Sequence, residues 1–350
     1  MTRRLDADDA CPLRDGYSMP PEWAPHARTW MCWPCRIEAF GGPEALLRAK
    51  QAFARVARAI SSFEPVTMAV RPVDAAEVKL ATGGKVDVLE IALDDSWSRD
   101  FGPTFLTSAD GGIAAVAWQF NAWGNKYRPW EDDAAFAGRV AEHARVKLYR
   151  APLVCEGGAI HTNGAGVLLS TEQCLLAENR NPHLSQQQIE ERLALFTGAR
   201  RILWLGMGFP DEETDGHIDN IACFASPNRI VVGIPASRSH PDYEPVMDTL
   251  HRIREARDPY GLAFEIIELV QPQKARLDWR GRPLQTSYVN FYLTNGGVVM
   301  PAFDDRNDES ARTTLGACFP GRDILQIDAL DIVEGGGGIH CITQQEPEST

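Results

Sequence analysis

Four segments of this chain share one plan: a short apolar run, a tight turn and a second apolar run. They are PTFLTSADGGIAAVAW (103–118), GAIHTNGAGVLLST (158–171), NIACFASPNRIVVGI (220–234) and VNFYLTNGGVVMPAF (289–303). Their turns are D-G-G, N-G, P-N and N-G, residues that adopt the tight-turn geometry joining antiparallel strands. The turns recur at intervals of roughly 55–70 residues, and a stretch of helical character follows each hairpin, which marks an internal repeat. A chain built this way is restricted to a set of small α/β units.

The intervening segments fill in the units. PEALLRAKQAFARVARAISSF (43–63) places apolar residues at helical spacing after a leading proline. The stretches 131–146, 185–198 and 241–257 read as further helices, and EPVTMAV and VDVLEIAL (86–93) as buried strands. Two apolar runs lack a hairpin partner: RTWMCWP (28–34) and GIHCIT (338–343). Pairing them would make a fifth unit from the two ends of the chain and close a ring, leaving no free sheet edge. The expectation is therefore α/β, with residues 1–350 as a single domain closed by its N- and C-terminal strands. No low-complexity or charge-block linker interrupts it.

Composition excludes several functions. A net charge of −13 disfavours nucleic acid as a partner and mildly favours cationic ligands. No apolar run approaches a membrane span, and MTRRLDADDACPLRDGY has no apolar signal core. The eight cysteines have no framework spacing, which suits a reducing cytoplasm. Cys32 and Cys35 form a lone C-x-x-C with no second pair or histidines to complete a metal site, so they read as a strand end. A homo-oligomer is left open.

Ionisable residues gather at equivalent places in the repeat. Asp100 ends DDSWSRD before the first hairpin, and Glu156 lies in CEGG before the second. His217 and Asp219 open the third, two residues apart and so on one face if extended. Cys341 sits in the fifth strand after four glycines. Taken singly, each has an ordinary reading: a surface ion pair, a turn residue, a satisfied core histidine, a small apolar cysteine. In a ring of similar units they would converge on one pocket. Carboxylates match a planar guanidinium bidentately, and the bound cation would favour a thiolate beside it. Histidine would carry the proton to departing ammonia and take one from water. Trp97 would stack on the cation.

The chain also resembles a known family, the agmatine deiminases of the guanidine-modifying (pentein) superfamily. The resemblance runs from MPPEWAPHARTWMCWP (19–34) to GIHCITQQEP (338–347). It includes DDSWSRDFGPTF, FNAWGNKY, EGGAIHTNG, NRNPHL, ETDGHIDNIACF and SYVNFYLTNGG. It implies a five-fold pseudo-symmetric α/β propeller with a central pocket. It further implies hydrolysis of agmatine to N-carbamoylputrescine and ammonia through a covalent thiouronium, without metal or other cofactor. By resemblance Cys341 is the nucleophile, His217 the general acid/base, Asp100 and Asp219 the guanidinium ligands, and Glu156 a further ligand or proton-transfer partner. Trp97 and Glu213 would line the substrate. The chain departs from the family pattern at Asp215, where Thr-Asn-Gly-His is usual, at Lys126 in GNKYRPW, and in the acidity of GFPDEETDGH. These bear on the substrate's tail rather than on the reacting carbon. Two other readings stay open: a deiminase for arginine or a modified arginine, and a non-catalytic guanidine- or polyamine-binding protein.

Overall fold

Five small sheets of like construction make up the protein, seen in a computed structural model that describes residues 10–209 and 213–349. Each sheet joins two antiparallel strands and a third strand parallel to the second. In the first unit Thr104–Ser108 pairs antiparallel with Ile113–Gln119, which pairs parallel with Lys147–Val154. The second uses His161–Thr162, Val167–Thr171 and Arg201–Leu205. The third uses Ala222–Ser226, Arg229–Ile234 and Glu265–Val270. The fourth uses Tyr292–Leu293, Gly297–Ala302 and Asp323–Asp328. In the fifth, the C-terminal strand Gln344–Pro347 runs antiparallel to His26–Cys32, which runs parallel to Val66–Val70.

Each parallel crossover carries a helix: Pro43–Ile60, Glu131–Ala144, Gln186–Thr197, Tyr243–Glu255 and Asp308–Cys318. Local chemistry sets these helices. Pro43 starts the first, whose buried stripe is Leu46, Ala49, Phe53, Ala57 and Ile60 at helical spacing. Ser185 and Gln188 form a capping box on the third, and Gly198 ends it in the left-handed conformation. The strand Val66–Val70 is buried on both faces, which is why VTMAV shows no polar alternation.

The ring closes through the segments that lead into the hairpins. Gly158 N–H donates to Asp100 Oδ1 (3.1 Å), and Phe224 N–H to His161 Nδ1 (3.3 Å). Asn290 Nδ2 donates to Asn220 Oδ1 (3.0 Å), His340 N–H to the Asn290 carbonyl (3.2 Å) and Arg99 N–H to the Cys341 carbonyl (3.1 Å). These bonds link units one to two, two to three, three to four, four to five and five to one.

Two local expectations are corrected. Cys341 is in no strand: 339–342 form a turn, stabilised by Thr343 Oγ1 donating to the Ile339 carbonyl, and the strand begins at Gln344. His217 and Asp219 do not share a strand face either, because Asp219 lies in the 3-10 turn Ile218–Asn220, with His217 just before it. Of GFPDEETDGH, residues 210–212 lie outside the described residues, as do residues 1–9. No helix among the described residues is long and apolar enough to cross a membrane.

Candidate active site

Each unit delivers its chemistry from the turn that precedes its first strand. Asp100 lies in the short helix Ser98–Phe101, Glu156 just before the 3-10 turn Gly157–Ala159, and His217 and Asp219 around the next. Cys341 follows in the fifth turn, and all five side chains are buried. The fourth unit contributes Asn290, whose Nδ2 lies 3.3 Å from Cys341 Sγ. Sequence reasoning passed over Asn290, although it stands in SYVNFYLTNGG where the repeat required a fourth member.

The geometry is close enough for chemistry. Cys341 Sγ is 3.4 Å from Asp219 Oδ2. His217 sits between two acids, with Nδ1 3.6 Å from Asp100 Oδ1 and Nε2 3.7 Å from Glu156 Oε2. Neither ring nitrogen is hydrogen-bonded, and Asp219 Oδ1 is likewise buried without a partner. Buried polar atoms left open in this way are costly in a core but suited to gripping a polar ligand. A Cβ placed on Gly158 would lie 2.6 Å from His217 Nδ1, 2.8 Å from Asp100 Oδ1 and 3.0 Å from Asp219 Oδ2. Only glycine leaves that space clear.

Charge tunes each group. Burial, then the Asp219 and Asp100 carboxylates, push the Cys341 thiol well above its ordinary value. Burial also raises Asp100 to about 6, against the pull of His217. Burial opposes ionisation of Glu156, but Arg180 (Nε to Oε1, 2.7 Å) overcomes it and holds this acid below the usual range. Burial disfavours a charged His217, yet Asp100 and Glu156 raise it well above the ordinary histidine value.

A cleft opens from Cys341, lined by Trp97, Asp100, Trp123, Tyr127, Glu213 and Gly335–Gly337 among others. Backbone conformation and close approach account for two of the four glycines that precede the cysteine. Gly336 has φ +105, and a Cβ on Gly337 would lie 2.6 Å from the Trp97 ring and 3.1 Å from Cys341 Cβ. Trp97 itself is held by a stacked Phe40 at 6.3 Å. Glu213 reaches the cleft already partnered, by Tyr127 Oη and by Arg282 (2.7 Å). Lys126 binds Asp215 Oδ1 (2.8 Å), so two of the three departures noted in the sequence form one ion pair.

The other cysteines are all free and buried. Cys32 ends its strand, and burial raises Cys32 and Cys35 above the ordinary thiol value. Cys174 has an acidic neighbour as well, its Sγ lying 3.9 Å from Glu156 Oε2. Glu156, Cys174 and His217 place three potential metal-ligating atoms within 4.8 Å, which no spacing in the sequence disclosed because they come from separate turns. The Arg180 guanidinium already supplies the countercharge to Glu156 there.

The family model for Porphyromonas-type peptidyl-arginine deiminase matches residues 18–347. The chain belongs to this family. An agmatine deiminase of Pseudomonas aeruginosa (strain LESB58) is 39% identical over 366 residues, covering 96% of this chain and 97% of that protein. The solved agmatine deiminase of Enterococcus faecalis superposes with a TM-score of 0.93 at 35% identity, covering 98% of this chain and 99% of the other. A Cys-to-Ser variant of the C. jejuni agmatine deiminase, solved with substrate bound, gives 0.86 at 28% identity over 95% of this chain and 97% of that one. The ring of five units is the pentein fold of this guanidine-modifying superfamily.

Within this deiminase family member, sequence reasoning missed a further set of residues around the converging five. Trp123 Nε1 donates to Asp100 Oδ2 at 2.8 Å, and Arg180 holds Glu156. Glu22, His161 and Arg99 lie behind Asp219 with His340. Arg180 stands in the polar loop NRNPHL, where no local pattern marks an arginine as buried.

Proposed function

We propose that this protein hydrolyses agmatine to N-carbamoylputrescine and ammonia, with Cys341 as nucleophile. The observation that carries the reading is the placement of Cys341 Sγ, 3.4 Å from Asp219, in a buried pocket shared with Asp100, Glu156 and His217. The named deiminase activity of the relatives supports it.

Asp100 and Asp219 bind the guanidinium nitrogens, and the bound cation offsets the two charges that keep the thiol protonated. As the cation enters, the thiol proton is released to solvent and the thiolate adds to the guanidinium carbon. His217, charged in the free site, gives its proton to the departing nitrogen; the C–N bond breaks, ammonia leaves, and an S-alkylthiouronium remains. Neutral His217, oriented by Glu156, then takes a proton from water, whose oxygen attacks the same carbon. The C–S bond breaks as the adduct's hydroxyl proton passes to the departing sulfur, so the thiol is restored and the neutral ureido product departs. Trp97 flanks the planar group. The protein acts in the cytoplasm on a small cationic substrate and needs no cofactor in this scheme.

Among the described residues, the lining of the cleft contains carboxylates but no lysine or arginine. Burying arginine's carboxylate there would leave it unpaired, which costs several kcal/mol. Ammonia release from agmatine, free arginine and a peptidyl-arginine tests the reading. A kcat/KM for agmatine at least about a hundredfold above that for free arginine is expected, since about 3 kcal/mol separates them. Comparable values would favour the arginine-type deiminase, and no ureido product from any would favour a binding protein.

A further inference from the structure

Behind the carboxylate nearest the sulfur lies a buried chain of alternating charge. His340 Nδ1 is 2.9 Å from Asp219 Oδ2, and His340 Nε2 is 2.8 Å from Glu22 Oε1. A carboxylate only accepts, so both ring nitrogens must carry hydrogen, and the ring is an imidazolium between two acids. Glu22 is buried and comes from a segment ahead of the first unit. Its other neighbours are Arg99 Nη1 at 3.4 Å and His161 Nε2 at 3.5 Å. Every hydrogen-bonding atom of the His340 ring is therefore used on charged partners, while Asp219 Oδ1 is left open.

We propose that Glu22 and His340 are positioning residues: His340 fixes Asp219 by a charged hydrogen bond, and Glu22 balances the imidazolium so that Asp219 keeps an uncancelled negative charge for a guanidinium. This rests on the reading of Asp219 as a guanidinium ligand. The two halves need each other. A lone imidazolium beside Asp219 would hold its orientation but cancel its attraction for a cation. A neutral ring could donate to only one of the two acids.

The groups facing His340 are Asp219 from the third unit, Glu22 from the N-terminal segment and Arg99 from the first unit. His161 from the second unit (ring centroids 6.5 Å apart), Cys223 from the third, which lines the same cavity, and Cys341 on its own turn are the other titratable groups there. Arg99 opposes the charge on His340, while Asp219 and Glu22 sustain it. Loss of the Glu22 charge therefore leaves two cations, Arg99 and His340, beside a single acid.

Steady-state kinetics with agmatine from acidic to alkaline pH test this, on the full chain, its Glu22→Gln and His340→Gln variants, and the double variant. At acidic pH the Glu22→Gln protein keeps a charged His340 offset only by Asp219, whose attraction for a guanidinium is thereby cancelled, so KM is expected to rise on the order of tenfold. As pH climbs the ring loses its proton earlier than in the wild type, and KM returns toward the wild-type value. His340→Gln retains an amide donor for Asp219 without charge, so neither it nor the double variant should show the acid-side rise. A loss of packing alone would lower activity at every pH and would not be relieved by the second substitution. A Glu22→Gln KM profile parallel to the wild type overturns the proposal, as does a double variant that keeps the acid-side rise. Should Glu22→Gln not fold by thermal denaturation, His340→Gln decides alone: an acid-side KM at or below the wild type supports the proposal, and a tenfold rise overturns it. Failure of the functional reading shows separately, as a wild-type protein that does not turn over agmatine.

Discussion

Cys341 Sγ lies 3.4 Å from Asp219 Oδ2, so the nucleophile of the proposed reaction faces an anionic carboxylate. Burial, Asp219 and Asp100 hold the thiol protonated, and a cation entering between them reverses that bias. A haloacetamidine carries such a cation next to its electrophilic carbon. It is expected to alkylate Cys341 selectively, with agmatine protecting, while the neutral haloacetamide of the same size reacts far more slowly. Peptide mapping by mass spectrometry reads this out, and labelling spread over several cysteines would sink it.

The acid side of the pH profile should report Asp100. Burial raises its carboxyl to about 6, so below that pH it takes up a proton and stops attracting a guanidinium. kcat/KM for agmatine is expected to fall as pH drops through about 6, with the corresponding limb of kcat at lower pH because the bound cation favours the ionised acid. The stability sign is the opposite of that for a salt-bridged acid. A raised value means the folded state holds the proton more tightly, so ionising Asp100 erodes stability as pH rises toward about 6. Asp100→Asn should accordingly lose activity while its Tm at neutral pH stays level or rises. A clear fall in Tm would show that the carboxylate supports the fold.

Gly158→Ala tests whether the space among His217, Asp100 and Asp219 is used by substrate. The added methyl would lie within 3.0 Å of all three side chains. Loss of agmatine turnover by at least about a hundredfold is expected, since misplacement of about 1 Å at a reacting centre is that damaging. Retained activity would place the guanidinium elsewhere.

Arg180 and Lys126 should separate cleanly. Arg180 and Glu156 form a buried pair, so Arg180→Gln is expected to cost about 3 kcal/mol of stability and to move the acid limb of kcat/KM to higher pH as Glu156 loses its countercharge. Glu156 lies below the usual range in the fold, so its stabilising share is present above that range and disappears as pH falls. The Lys126–Asp215 pair is about a quarter to a third exposed, and Lys126→Ala should cost less than about 1 kcal/mol with kcat nearly unchanged. Chemical denaturation and pH–rate profiles distinguish the two variants, and equal effects would contradict the assignment.

The hairpins were legible because their turns are set by local chemistry, and the ring because two apolar runs were left without partners. The last strand was misplaced for a physical reason. GIHCIT looks like a strand by its apolar residues, whereas QQEP does not, yet pairing with His26–Cys32 makes QQEP the strand. Asp100, Glu156, His217, Asp219 and Cys341 could be gathered because they occupy equivalent turns. Glu22 lies outside the repeat and Arg180 in a polar loop, so only the tertiary fold reveals their buried pairing with His340 and Glu156.

The most direct measurement of the account is product formation by Cys341→Ala. With no sulfur there is no thiouronium, and conversion of agmatine to the ureido product and ammonia is expected to fall by at least about a thousandfold. The fold should survive, since the lost side chain is small and Tm serves as the control. Turnover by the folded Cys341→Ala protein at even a few per cent of wild type, on the scale of that expected loss, would contradict covalent catalysis at this residue.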